Sequence, residues 1–212
     1  MIKWISQILL GHKVVYSIQR ASKEVMKYIA RKLFDLTSHL LFDNRFKVEH
    51  YRDGKLIGVY EGCNDITTEG KNFLLDTMFH GITAAGTWYI GLINNTPTPT
   101  LAATDDYDNI NQASNVWDEF TNYEISSASV RGTWDEGAAS GGSMTNITPI
   151  TCDILAGGGT VYGIFVCGLG ANASVPGDHA SDGILWATAP FSGGAVTLSA
   201  SDELKITYTV NA

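Results

Sequence analysis

Beyond residue 81 the chain is cut at short intervals by Gly-rich separators, among them Gly141-Gly142, Gly157-Gly158-Gly159 and Ser192-Gly193-Gly194. Glycine accepts the positive φ that tight turns require, so the apolar runs between such points can only be short extended segments. Candidate strands fall at 87–93, 123–129, 131–134, 143–147, 150–155, 161–167, 184–190, 195–198 and 203–210. The last, Leu204-Lys-Ile-Thr-Tyr-Thr-Val210, alternates apolar and polar residues as a half-buried strand does. Short strands at this spacing predict a mainly β domain: a two-sheet β-sandwich of jelly-roll or immunoglobulin-like kind. With only 17% charged residues and 22 glycines, the composition does not suit a helical enzyme core.

The pattern upstream is different. Residues 1–45 read as a basic, amphipathic helical arm and residues 46–212 as the sandwich domain. In the arm Ser22 is a candidate N-cap, followed by Val25, Met26, Ile29, Leu33, Leu36 and Leu40 at spacings of three and four. Lys23, Lys27, Arg31 and Lys32 lie elsewhere on its surface, and Gly11 breaks off a shorter first helix. The period changes near Phe46, where 46–51 and 56–60 flank Asp53-Gly54 as a β-hairpin with type I′ turn chemistry. One inserted helix is expected over 64–79. Thr67 or Thr68 would cap it, Phe73, Leu74, Met78 and Phe79 would face the core, and Gly81 would end it.

Charge separates the two parts. Residues 1–50 carry a net +5 and residues 51–212 a net −13. The acidic body disfavours nucleic-acid binding, because phosphate contacts need Lys and Arg. The arm's basic residues interleave with an apolar stripe, which suits docking to protein, with a membrane surface as a further reading. No apolar run is long enough to span a bilayer, and the N-terminus lacks a cleavage signal. Cys63, Cys152 and Cys167 have neither pairing number nor CxxC spacing, which predicts three free, buried thiols in a reducing cytoplasm.

Chemistry-bearing motifs are sparse. His12, His39, His50, His80 and His179 show no metal-site spacing, and GxSxG, Walker A and GxGxxG patterns do not occur. The expectation is a protein without catalytic residues, metal or cofactor. The long loop 94–122 holds Asp105, Asp106 and Asp108 and the aromatic segment around Trp117. It reads as solvated surface, a calcium-stabilised loop or a glycan-reading loop. Trp88, Trp117, Trp134 and Trp186 would stack on sugars only if exposed. Asp118, Glu119, Glu124, Asp135 and Glu136 carry no spacing that pairs any two as a glycosidase dyad.

An ordered series of segments from Val48 onward resembles small structural proteins of tailed bacteriophages and prophages. It comprises the Asp53-Gly54 hairpin, Asn64-x-Ile-Thr-x-x-Gly70-x-x-x-Leu74-Leu75-Asp76-x-x-Phe79, and Thr87-Trp-Tyr-Ile-Gly-Leu92. Trp117-x-Glu-Phe-x-x-Tyr123, Gly137-Ala-Ala-Ser-Gly-Gly-Ser143 and Gly163-Ile-Phe follow. Ile184-Leu-Trp-Ala, Phe191-Ser-Gly-Gly194 and the closing Asp202-Glu-Leu-x-Ile-Thr-Tyr-Thr-Val210 complete it. The resemblance implies a virion component without chemistry of its own, assembled in the host cytoplasm. Decoration of the capsid shell is the first expectation. A tail, collar or fibre-anchor role, or a glycan-binding adhesin on the particle, are the others. Its partners would be other virion proteins and further copies of itself. The arm departs from that family's pattern, whose members mostly begin near the hairpin.

Overall fold

The computed structural model describes residues 43–110, 117–180 and 182–212; residues 1–42 of the expected arm, including Lys23, Val25, Lys27, Ile29, Arg31, Lys32, Leu33, Leu36 and Leu40, lie outside them, and Arg45, placed at the arm's end, instead opens the first strand. The described chain is mainly β, with two sheets and one inserted helix. Strand β1 (Arg45–Arg52) turns into β2 (Lys55–Cys63) through Asp53 at φ 50° and Gly54 at φ 71°. That left-handed pair is what a two-residue I′ turn requires. Pairing steps from His50–Gly58 to Tyr51–Leu56, which leaves Ile57 as the extra residue of a β-bulge.

After β3 (Asp65–Ile66) comes helix α1 (Thr68–Leu75), capped by Thr67, whose hydroxyl accepts the Gly70 N–H at 3.0 Å. The same hydroxyl donates to the Leu185 carbonyl, and the Thr67 N–H donates to the Trp186 carbonyl at 3.0 Å, so the cap also fixes the helix to the sheet. The expected 64–79 helix is therefore shorter at its start. At its end it widens into a π-helical turn over Asp76–His80, closed by Gly81 at φ 75°. Phe73 is buried and Leu74 partly so, but Met78 and Phe79 are 60% and 78% exposed. The wider turn rotates them off the face that Phe73 defines.

The remaining strands are β4 (Trp88–Asn94), β5 (Glu119–Phe120), β6 (Tyr123–Glu124), β7 (Gly132–Trp134), β8 (Ser143–Thr145) and β9 (Ile150–Ile154). They are followed by β10 (Gly159–Leu169), β11 (Gly183–Pro190), β12 (Val196–Leu198) and β13 (Glu203–Asn211). The run expected over 123–129 stops at Glu124. There Ser126 and Ser127, at φ 51° and 63°, fold Ile125 back onto Ala128.

One sheet has the order β2-β1-β13-β9-β6, with β8 also on β13. The other runs β3-β11-β10-β4-β5, with β12 on β10 and β7 on β4. Alternation aims Phe46, Val48, Leu204, Ile206, Ile150 and Cys152 from the first sheet into a core shared with Ile90, Leu92, Ile164, Val166 and Ala187 of the second. Each large aliphatic side chain so buried stabilises the fold by roughly 1.5–3 kcal/mol. The second sheet is covered on its other face as well. Ile93, Phe165, Cys167 and Leu185 there meet Tyr107, Ile110 and Trp117 of the long loop in a separate apolar cluster. The middle of β10, Gly163–Gly168, is buried on both sides in consequence. All three thiols are free, and Cys152 and Cys167 are buried as expected. Cys63 is exposed, because its place opposite Arg45 puts it on the solvent face of the first sheet.

The seat of α1 on the second sheet depends on Gly70. A Cβ there would lie 2.7 Å from the Trp186 carbonyl oxygen and 3.0 Å from its Cα, both backbone atoms that cannot swing away. Alanine gains about 1 kcal/mol in helix propensity. Overpacking costs about 1–3 kcal/mol. Gly70→Ala is therefore expected to lower stability in urea unfolding, whereas Gly193→Ala, which meets nothing within 4 Å, should not.

Candidate functional site

The most highly organised polar structure lies beneath the long loop, on the outer face of the second sheet. Arg131, just before β7, is 1% exposed and Glu119 of β5 is 4% exposed. Arg131 Nε donates to Glu119 Oε1 at 2.9 Å and Nη2 to Oε2 at 2.8 Å, a bidentate pair. Nη2 also donates to the Asp178 carbonyl at 2.8 Å. Nη1 donates to the Ala173 carbonyl at 3.0 Å and to the Tyr107 hydroxyl at 3.1 Å. That hydroxyl donates onward to Asp178 Oδ2 at 2.7 Å, and the Gly177 N–H donates to Glu119 Oε2 at 2.6 Å. The guanidinium stacks over the Phe165 ring at 5.1 Å. One ion pair thus joins two strands to the long loop and to the 170–180 loop. Burial pushes the Glu119 carboxyl up, while Arg131 and the Gly177 amide pull it back; the three N–H donors on it favour the carboxylate. Cys167, 3.5 Å from Arg131, is pushed up to about 12 by burial, which keeps it a thiol rather than a nucleophilic thiolate.

Glu69 adds a second tie. Its Oε2 accepts the N–H of Tyr107 at 2.9 Å and of Leu185 at 2.7 Å, joining α1, the long loop and β11. Burial raises this carboxyl above its ordinary value.

The loop residues singled out in the sequence have defined places. Trp117 is fully buried against Phe165, and its indole N–H donates to Asp105 Oδ2 at 3.0 Å. The same oxygen accepts the Ala102 N–H at 3.0 Å. Neither side chain is presented to solvent. Asp106 starts a short 3-10 turn, Tyr107–Asn109, and its N–H donates to Asn109 Oδ1 at 3.0 Å; Asp108 points outward. Among the described residues no cluster of three or more His, Cys, Asp or Glu could hold a metal ion. Residues 111–116 of this loop lie outside the described chain.

A third polar group, absent from the sequence expectations, sits at the turn end of the first sheet. His50 Nε2 is 2.8 Å from Asp202 Oδ2, and His50 Nδ1 is 3.3 Å from the Tyr60 hydroxyl. Arg52 clamps Asp202 with two bonds of 2.7 Å, and the Ser199 N–H donates to Oδ2 at 2.8 Å. A histidine between a carboxylate and a hydroxyl has the outline of a relay. Burial raises the Tyr60 phenol, however, so that the group holds its proton rather than attacking. What the cluster does physically is bind β1, β2 and the start of β13 together. The Arg52 guanidinium, the Ser199 amide and His50 hold the Asp202 carboxyl well below the usual range.

A cleft of about 400 Å³ opens between the two sheets, beside α1. Phe73, Trp88, Trp134, Met144, Trp186 and Val210 are among its walls. The Trp186 indole N–H and the Asn64 amide donate to the Tyr208 hydroxyl at 3.2 and 2.8 Å, and the Trp134 N–H donates to the Tyr208 carbonyl at 3.1 Å. Their polar ends are engaged inside the protein, so the cleft wall is nearly all carbon. Its chemistry is that of apolar contact. Only Trp88, half-buried against Phe73 and Trp186, shows the cleft much of its ring.

Two outcomes follow from this geometry. Glu119→Gln keeps the shape and removes the charge that balances Arg131. It is expected to cost about 3–5 kcal/mol in urea unfolding, and the paired replacement Glu119→Leu with Arg131→Met considerably less. For Asp202, the folded pKa lies below the unfolded value near 4. Its stabilisation is complete above about pH 4 and is lost as pH falls through the depressed value. Asp202→Asn should therefore lower stability at pH 7 and flatten the acid limb of a melting-temperature profile from pH 7 to 2. No protein-family model, curated protein or solved structure matches the chain.

Proposed function

We propose that the chain is a non-enzymatic structural component of a tailed-bacteriophage particle: a capsid decoration or cement protein that docks through its N-terminal arm. The observation that carries this reading is the destination of the buried ionisable groups. Glu69, Glu119, Arg131 and Asp202 all close loops or join strands, and the cleft between the two sheets is apolar. Such a body is built for rigidity and contact. The ordered segments resembling phage structural proteins supply the particle context. In this reading the two sheets form a sandwich of jelly-roll or immunoglobulin-like kind, and the reducing cytoplasm of the host suits three unpaired thiols.

Docking would use the arm. Val25, Ile29, Leu33, Leu36 and Leu40 form the apolar stripe to be buried against a shell protein or sister subunit, with Lys23, Lys27, Arg31 and Lys32 meeting acidic patches. An arm of about forty residues is long enough to supply a standard interface of roughly 1,200–2,000 Å².

Quantitative mass spectrometry of purified particles tests the assignment. Dozens to hundreds of copies in fixed ratio to the shell protein are expected. A dozen or fewer would move the protein to a tail, collar or fibre anchor, and absence from particles would remove the virion reading. Leu33→Asp should abolish incorporation while the body keeps its β circular dichroism.

A further inference from the structure

The outer side of α1 and of the π-helical turn after it faces solvent with apolar side chains. Leu75, Met78 and Phe79 are 53%, 60% and 78% exposed, and Ile82, just past Gly81, is 41% exposed. Spacings of three and four put the first three on one side of the helix. Soluble proteins rarely leave several large apolar side chains together in water, and where they do the patch marks a contact surface. This patch has an acidic flank. A hollow of about 400 Å³ beside it is walled by Glu69, Asp76 and Asp106, together with Asn72, Ile82 and Ile184. Burial first, and then the Asp106 and Asp108 carboxylates, push Glu69 above its ordinary value. Asp106 Oδ1 is buried without a hydrogen-bond partner. The bases carried by this helix and turn are Lys71 and His80, and His80 Nδ1 stands 3.4 Å from Asp76 Oδ1 with both side chains well exposed. Four carboxylates against these two bases leave the flank acidic.

We propose that this face is the seat of the N-terminal arm of a second copy of the chain. The inference rests on the docking arm of the proposed function and names its partner. The two surfaces are complementary in both apolar pattern and charge. The arm's sequence sets the stripe Val25, Ile29, Leu33, Leu36 and Leu40 beside Lys23, Lys27, Arg31 and Lys32, and residues 1–42 hold seven lysines and arginines against Glu24 and Asp35. An apolar stripe laid on Leu75, Met78, Phe79 and Ile82 brings its flanking bases within reach of the hollow. There a Lys or Arg stem runs over Ile82 and Ile184 while its cationic head meets Asp76 and the open oxygen of Asp106. An amphipathic helix seated by its apolar side is a recurring mode of recognition, and complementary charge fixes which helix is accepted. Nucleic acid and anionic membrane, the other surfaces that attract basic segments, are repelled by these carboxylates. An arm folded onto its own body joins nothing, whereas one seated on a neighbour links copy to copy, as a cement protein requires.

The test uses the full chain. Unlabelled protein carrying the photo-cross-linker p-benzoylphenylalanine in place of Phe79 is mixed with ¹⁵N-labelled protein and irradiated. Peptides joining position 79 of the unlabelled chain to residues 22–42 of the labelled one are the expected product. Sedimentation should show that Phe79→Asp and Asp76→Lys, both at exposed positions, each weaken self-association at least about tenfold while β circular dichroism is kept. Adding Lys27→Glu with Arg31→Glu to the Asp76→Lys chain should restore association, since the charges are then reversed on both sides. Cross-links confined to arm and body of one chain, cross-links that avoid the arm, or a chain that sediments as a monomer at every concentration would each overturn the proposal. So would association untouched by either substitution. None of these readouts uses particles, so a chain absent from particles removes the virion reading alone, and loss of the mixed cross-link removes this inference alone.

Discussion

The buried pair of Arg131 and Glu119 is the constraint around which the second sheet is built. Removing two such charges from water costs several kcal/mol for each ion, and the loss is offset only by excellent geometry with further hydrogen bonds. The site supplies both. A bidentate contact is completed by two backbone carbonyls, a tyrosine hydroxyl and the Gly177 amide. These partners come from loops, and that is the structural point. A sheet with an exposed apolar face needs a cover, and here the cover is irregular chain held down by charge rather than a helix. Tyr107, Ile110 and Trp117 can then contribute a second apolar cluster over Phe165 and Cys167. Gly91 belongs to the same solution: a Cβ on it would collide with the Phe165 ring and approach Glu119 Oε1 to 2.9 Å.

The polar ties are arranged so that each joins elements distant in sequence. Glu69 links α1 to the loop layer and β11, Asp202 links the first hairpin to β13, and Asn146 donates to the Ile206 carbonyl while accepting the Tyr208 N–H. What remains at the surface is therefore set by the fold more than by individual side chains. The cleft is apolar because the indole and amide groups behind it face Tyr208, and among the described strands β2 pairs with β1 alone.

Much of the fold was legible in local chemistry. Asp53-Gly54 demanded a tight hairpin, Thr67 stood at a cap, Gly81 ended the helix, and the alternation in 203–210 marked a half-buried strand. What escaped was long-range or rested on backbone subtlety. Nothing in the spacing of Glu119 and Arg131 announces that they share a pocket, since residues twelve apart in a loop and a strand have no fixed geometry. Met78 and Phe79 follow a helical period that the π turn breaks. Ser126 and Ser127 occupy the left-handed region without the glycine that would have advertised it. Trp117 and Asp105 looked like ligand-binding residues because both are polar-capable and loop-borne, and the structure engages them with each other.

The pairing of β1 with β13 bears on how the chain reaches this state. Val48 lies against Ile206 and Phe46 against Tyr208, and β13 also carries β8 and β9, so the first sheet has its centre in residues 203–211. An isolated two-stranded hairpin is marginal in water, and β1 and β2 have no other partner in that sheet. On a ribosome the hairpin would wait through the synthesis of some 150 residues before its neighbour emerged. The second sheet, whose β4, β10 and β11 are complete by residue 190, can assemble ahead of it. Folding from the loop-covered sheet toward the open-edged one would leave β2 among the last surfaces to be ordered.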